Sequence, residues 1–327
     1  MVQAPGSPFA LARFREGEGV RLAVVAGDRL RPLSAEELGA PGLNAFLAEP
    51  DWDRIAALAA GEGDWRPLAD VTLTAPIEPR QVLQTGANYR QHVIELVAAG
   101  LRNNPEISAD EARASAARMM DDRAANGEPY FFIGLPAAVV GDDVPLTLPA
   151  YSEVHDWELE LAVVIGREAF RVSRDEALDH VVGYTIVNDI TTRDLVFRKD
   201  MKEIGTDWYR AKNAPGFLPT GPYLVPARFV DPADLTVTLE LNGVVMQDGS
   251  TSDLLFDVPA LVAGASQNMP LLPGDVLLTG SPAGNGQHWG RFLRDGDVMT
   301  GSITGLGTQV VRCVAEPGAN AAEGRDA

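Results

Sequence analysis

Trp157, Leu159, Leu161, Val163 and Ile165 alternate along the chain with Glu158, Glu160, Ala162 and Val164. A period of two predicts a strand with one buried face. The other face turns from acidic to apolar after Glu160, so the strand is covered on both sides. Its two carboxylates then sit at the edge of a dry region. Residues 183–194 read as a second buried strand, with Asp189 near its polar end.

The same patterning organises the rest. Residues 9–33 alternate as short strands around an Ala26-Gly27-Asp28-Arg29 turn, and residues 235–247 form a hairpin about Asn242-Gly243. Residues 82–89 predict a strand running into a turn, with Asn88 as N-cap of a helix that repeats Tyr89, Val93 and Leu96 on one face. Residues 129–136 read as a buried strand. Ser34–Glu37 reads as the cap of a short helix, Ser108–Glu111 and Ser173–Glu176 are capping boxes, and residues 52–60 and 258–267 are helices. Short, evenly spaced strands with few helices predict a strand-dominated α+β fold. A small N-terminal domain is expected over residues 1–78, a main domain over 79–315, and a disordered tail over 316–327.

Composition narrows the function. The 46 acids against 27 bases give a net charge of −19, which disfavours nucleic acid as a partner. Anionic substrates stay open, because a local cation overrules the global field. One cysteine, Cys313, excludes an internal disulfide framework and fits a reducing compartment. With no signal pattern and no membrane-length apolar run, a soluble cytoplasmic protein without a membrane partner is expected.

Ionised carboxylates repel each other and are costly to bury unpaired, so Glu158 and Glu160 call for a cation. Asp189 is a third candidate ligand. An oxygen-only donor set suits Mg²⁺ or Mn²⁺, with Ca²⁺ also compatible, and not zinc. On spacing alone, a Glu-x-Glu strand is more often a solvated polar face. His92 and Glu95 lie three apart and share a helix face. A carboxylate there can fix an imidazole's tautomer and raise its basicity, as a water-activating base requires, although such pairs are commonly surface decoration. The polar, Ala-rich residues 101–128 read either as part of a mobile cover or as a plain surface helix. No nucleophile elbow is present.

Residues 155–166 and 183–194 closely resemble the fumarylacetoacetate hydrolase family, whose signature runs Asp-(Tyr/Trp)-Glu-x-Glu-Leu-Ala-Val-Val-Ile-Gly. The resemblance extends, with gaps, from about residue 81 to 311. It implies that Glu158, Glu160 and Asp189 bind a divalent metal. Residues 86–95 match the family's Gly-x-Asn-Tyr-x-x-His-x-x-Glu segment, which implies that His92 and Glu95 activate water, with Tyr89 beside the substrate. Arg193 matches a substrate-contacting position, and Lys212 one that neighbours the metal and polarises substrate oxygens. Gly280 and Ser281 fall where relatives line the site with Gly-Thr. Two departures stand out: Gly134 where many members have Lys, and Asn213 near the place of a usual Asp.

The resemblance further implies a rolled, barrel-like mixed β-structure and a homodimer. The expected reaction is metal-dependent hydrolysis of a carbon–carbon bond in a 1,3-diketone or acylpyruvate-like acid, as in the branch similar to acylpyruvases and 2-hydroxyhepta-2,4-diene-1,7-dioate isomerases. Decarboxylation, isomerisation or tautomerisation, and hydration of a 2-oxo acid fit the same residues. A ligand-binding protein that keeps the metal for stability is a further alternative.

Overall fold

The computed structural model describes residues 8–101 and 107–317. Of the expected tail, residues 318–327 lie outside the described residues, and Glu316 is bonded to Leu148 and Ala150.

The strand Leu159–Ile165 lies inside a six-stranded sheet, antiparallel to Val181–Asn188 on one side and Val276–Leu278 on the other. The sheet continues through Val82–Gly86 to Tyr130–Gly134. Both faces are buried, as the alternation predicts, and they fill different cores. Trp157, Leu159, Leu161, Val163 and Ile165 pack with Val237, Leu239, Met299 and Ile303 of a second, five-stranded sheet. Ala162 and Val164 pack with Phe9, Leu11, Val24, Phe46 and Ile55 from the first sixty residues. Each fully buried Leu, Ile or Val contributes roughly 1.5–3 kcal/mol, so two full faces fix this strand firmly.

The leading sheet orders Arg66–Pro67, Arg29–Pro32, Gly19–Ala26, Ala10–Glu16 and Leu73–Thr74. Asn242 and Gly243 close their hairpin with φ of 54° and 79°, the left-handed pair that a two-residue turn requires. The boxes at Ser34 and Ser108 form with both reciprocal bonds.

Four local expectations change. Tyr130–Gly134 is an edge strand, paired only with Val82–Gly86, and Ile133 is 67 % exposed. Asn88 does not cap the helix Arg90–Leu101. Its amide donates to the carbonyls of Phe256 and Thr279 and accepts from Phe256 N–H, so it ties three distant segments together. The helix start is satisfied instead by Tyr89 C=O and by the Asp253 carboxylate, which accepts from Gln91 N–H. Leu96 is exposed. At Ser173 the Glu176 carboxylate accepts from the serine, but only a 3-10 turn, Ala177–His180, follows.

Arg90–Leu101 packs on Ala109–Asn126 through a small core of its own: Val93, Ile94, Ala98, Ala112, Ala116 and Met120. This helical pair is tied to the turn after Val82–Gly86 by Arg123, which donates to Ala87 C=O.

Candidate metal centre

Backbone pairing brings the acids together. Glu158 C=O accepts from Asp189 N–H at 2.8 Å, and Glu158 N–H donates to the Asn188 side chain at 2.9 Å. Glu160, opposite Val187 in the ladder, is held through its carboxylate by Gly280 N–H at 2.7 Å. Carboxylate oxygens of Glu158, Glu160 and Asp189 lie within 4.8 Å of one another. Glu160 and Asp189 are buried and Glu158 nearly so.

Two cations serve this cluster. Arg193 Nε donates to Asp156 and Nη2 to Glu158, each at 2.6 Å. Lys212 ends the short helix Trp208–Lys212; its Nζ donates to Glu158 at 2.6 Å and to the Asp189 carboxylate, and lies 5.6 Å from the Phe132 ring centre. Burial works against a charged Glu158, but Arg193 and Lys212 outweigh it and hold its carboxyl well below the ordinary range. Glu160 has no such partner: burial, then the Asp189 charge, pushes it well up. Burial also raises Asp189, with Lys212 offsetting part of the effect. With Asp156, the cluster sets four acids against two bases, and Glu160 is the one left without an ion pair among the described residues.

That imbalance suits a divalent cation, and the donors are all oxygen, as Mg²⁺, Mn²⁺ and Ca²⁺ prefer. Two orphaned polar atoms agree with a ligand here. The Tyr89 hydroxyl, close enough to Glu160 to feel its charge, and Gln84 Oε1 are both buried without a hydrogen-bond partner.

His92, on the helix Arg90–Leu101, lies near enough to Glu158 and Arg193 to feel both charges. Burial lowers its proton affinity; Glu158 raises it and Arg193 opposes that. No hydrogen bond joins His92 to Glu95 among the described residues. Glu95 accepts from Gln91 at 2.9 Å and lies 3.9 Å from both Arg113 and His288. Beside Arg193 opens a cleft of about 370 Å³ lined by Phe197, Arg198, Lys199 and Lys202.

Residues 81–314 match the model of the fumarylacetoacetate (FAA) hydrolase C-terminal domain. The chain belongs to the fumarylacetoacetate hydrolase family. Among its relatives in that family, a mitochondrial oxaloacetate tautomerase of Xenopus laevis is 31 % identical over 93 % of this chain and 90 % of its own length. A 2,4-didehydro-3-deoxy-L-rhamnonate hydrolase of a Sphingomonas species is 35 % identical over 78 % of this chain and 82 % of its own. The crystal structure of a 2-hydroxyhepta-2,4-diene-1,7-dioate isomerase from Mycobacterium marinum matches at a TM-score of 0.69 and 32 % identity, covering 94 % of this chain and 99 % of that one. One fumarylacetoacetate hydrolase fold thus carries hydrolase, tautomerase and isomerase names, and this chain is a member of that enzyme family.

Within this member, Glu158, Glu160, Asp189, Lys212, Arg193, Tyr89 and His92 converge. Gly280 joins them through its N–H, at φ 93°. Ser281 turns toward the second sheet, where its hydroxyl accepts from Gln247 at 2.7 Å. Asn213 takes up local bonding of its own, accepting from Leu135 N–H at 2.6 Å and donating to Trp208 C=O. Four participants escaped the sequence reading. Asp156, fully buried, anchors Arg193 and accepts from Gly286 and Gln287 N–H; it stands in the signature, but spacing gives it no role. Phe132 and Trp208 stack at 4.6 Å beside Lys212, a pairing between distant segments. Gln84 donates to Asp189, and its one visible signal is a polar side chain inside an apolar strand.

Proposed function

We propose that this enzyme hydrolyses a carbon–carbon bond in a 1,3-diketone or acylpyruvate-type acid, using a divalent ion held by Glu158, Glu160 and Asp189. The observation that carries this reading is three clustered, largely buried carboxylates beside an imidazole whose charged form burial disfavours. A bound Mg²⁺ or Mn²⁺ supplies Lewis-acid charge beside the substrate oxygens, favouring departure of an enolate. His92, neutral at physiological pH, takes the proton as water adds to the acyl carbon. Glu95, one helical turn away, orients that imidazole once substrate closes the site. Lys212 and Arg193 offset negative charge on the substrate. The atoms balance: water gives OH to the acyl fragment and H to the departing carbon. The family resemblance also supports a homodimer, which light scattering in solution checks.

A second reading, tautomerisation of a 2-oxo acid, is favoured by one contact: Glu95 is bonded to Gln91 and not to His92. There His92 moves a proton between carbon and oxygen, with no water consumed. The two separate by product. Acylpyruvates, linear diketones and enol-oxaloacetate are offered with Mg²⁺ in H₂¹⁸O and the products weighed. Hydrolysis gives two fragments with one ¹⁸O in the new acid. An unchanged mass with accelerated enol–keto conversion overturns hydrolysis in favour of tautomerisation.

A further inference from the structure

Gln84 is 0 % exposed and sits on the same sheet face as Val82, two residues before it. Its carboxamide donates through Nε2 to Asp189, while its Oε1 is buried with no partner. Across the ladder, Val82 pairs with Gly134 and Gln84 with Phe132. A Cβ on Gly134 would stand 3.0 Å from Gln84 Oε1 and 3.0 Å from a Val82 methyl. Gly134 has no positive φ to require glycine, so what a side chain there would meet is the Gln84 amide together with the Val82 methyl.

We infer that Gln84, seated over Gly134, is a positioning residue for the Asp189 carboxylate. The inference rests on the metal-centre reading above. Lys212 bonds the second oxygen of Asp189, so Gln84 and Lys212 together fix the plane of that carboxylate. The Gln84 Oε1 is left as a buried, unpaired acceptor, which carries a desolvation cost.

The test is a coupling measurement on the full chain. Mn²⁺ is titrated calorimetrically into chelator-treated wild type, Gln84→Met, Gly134→Ala and the double variant, with Glu160→Gln as reference. Melting curves confirm that each variant is folded. Outer partners of metal ligands typically alter affinity by about 10–100-fold, so Gln84→Met is expected to weaken Mn²⁺ binding within that range. Gly134→Ala, acting by displacing Gln84, is expected to weaken it too. The double variant should then be no weaker than Gln84→Met alone. Wild-type affinity in Gln84→Met, or additive losses in the double variant, overturns the inference. If Gln84→Met fails to fold, Gln84→Asn takes its place: its amide is one carbon too short to reach Asp189, so Mn²⁺ binding should weaken, and unchanged affinity overturns the inference. Glu160→Gln keeps the cases apart. Loss there with none in the Gln84 variant sinks only this inference; unchanged binding in Glu160→Gln sinks the metal centre itself.

Discussion

Glu160 extends from a strand whose two faces fill two separate cores, and Asp189 directly follows a neighbouring strand of the same sheet. His92 instead sits on a helix whose small core is shared with one partner helix. Ion ligands must hold their geometry to fractions of an ångström, which buried strands supply. A base that must admit water and substrate gains from an element that opens at lower cost. The attachment of that helix pair fits such a role: the bonds from Arg123 to Ala87 C=O and from Gln91 N–H to Asp253 that hold it to the body are exposed.

The sharpest way to break this contrast is to remove one group from each region. His92→Ala should cut turnover by roughly 10²–10⁴-fold, the usual range for a general base, with a small change in the denaturation midpoint. Full turnover in that variant would remove His92 from the chemistry. Lys212→Ala should do the opposite in kind. It leaves Asp189 and Glu158 short of a cation, and breaking a buried pair costs about 3–5 kcal/mol, read as a lower denaturation midpoint in the absence of added metal. Similar midpoints for both variants would erase the difference between the regions.

Hydrogen exchange sharpens it further. Amides of Arg90–Leu101 and Ala109–Asn126 should exchange faster than those of Val163 and Val187, and slow on binding Mg²⁺ with oxalate. Equal rates with and without ligand would make the pair an ordinary surface hairpin.

The smallest effect concerns pH. Burial lowers the His92 pKa below the ordinary imidazole value of 6.5. The neutral, active form therefore persists to lower pH, and the acid limb of kcat/KM should fall below 6.5 and vanish in His92→Gln. The stability effect has the same direction. A folded-state pKa below the unfolded one gives stabilisation that is present above 6.5 and lost as pH falls through the folded value. An acid limb above 6.5 would assign it to another group.

Much of the strand framework was legible because period-two patterning survives wherever a strand packs on both faces, as in Leu159–Ile165. The Glu158–Glu160 pair was legible for the same reason, and Asp189 as the acid at the polar end of a second buried strand. Where the chain's partners lie far away, local reading failed. Asn88 has the composition of a helix cap, but its bonds go to Phe256 and Thr279. Tyr130–Gly134 is apolar enough for a central strand, yet it lies at the edge, where Phe132 stacks on Trp208. The role of Gln84 depends on Gly134, fifty residues later and visible only once the register is known.

One measurement bears most directly on the metal centre: Mn²⁺ titration of the chelator-treated protein, with free ion followed by its paramagnetic resonance signal. One tightly held Mn²⁺ per chain is expected, displaced by Mg²⁺, and lost in Glu160→Gln and Asp189→Asn while Glu95→Gln retains it. Stoichiometric binding that survives both triad substitutions, or no binding in the wild type, would contradict the assignment of Glu158, Glu160 and Asp189 as the metal ligands.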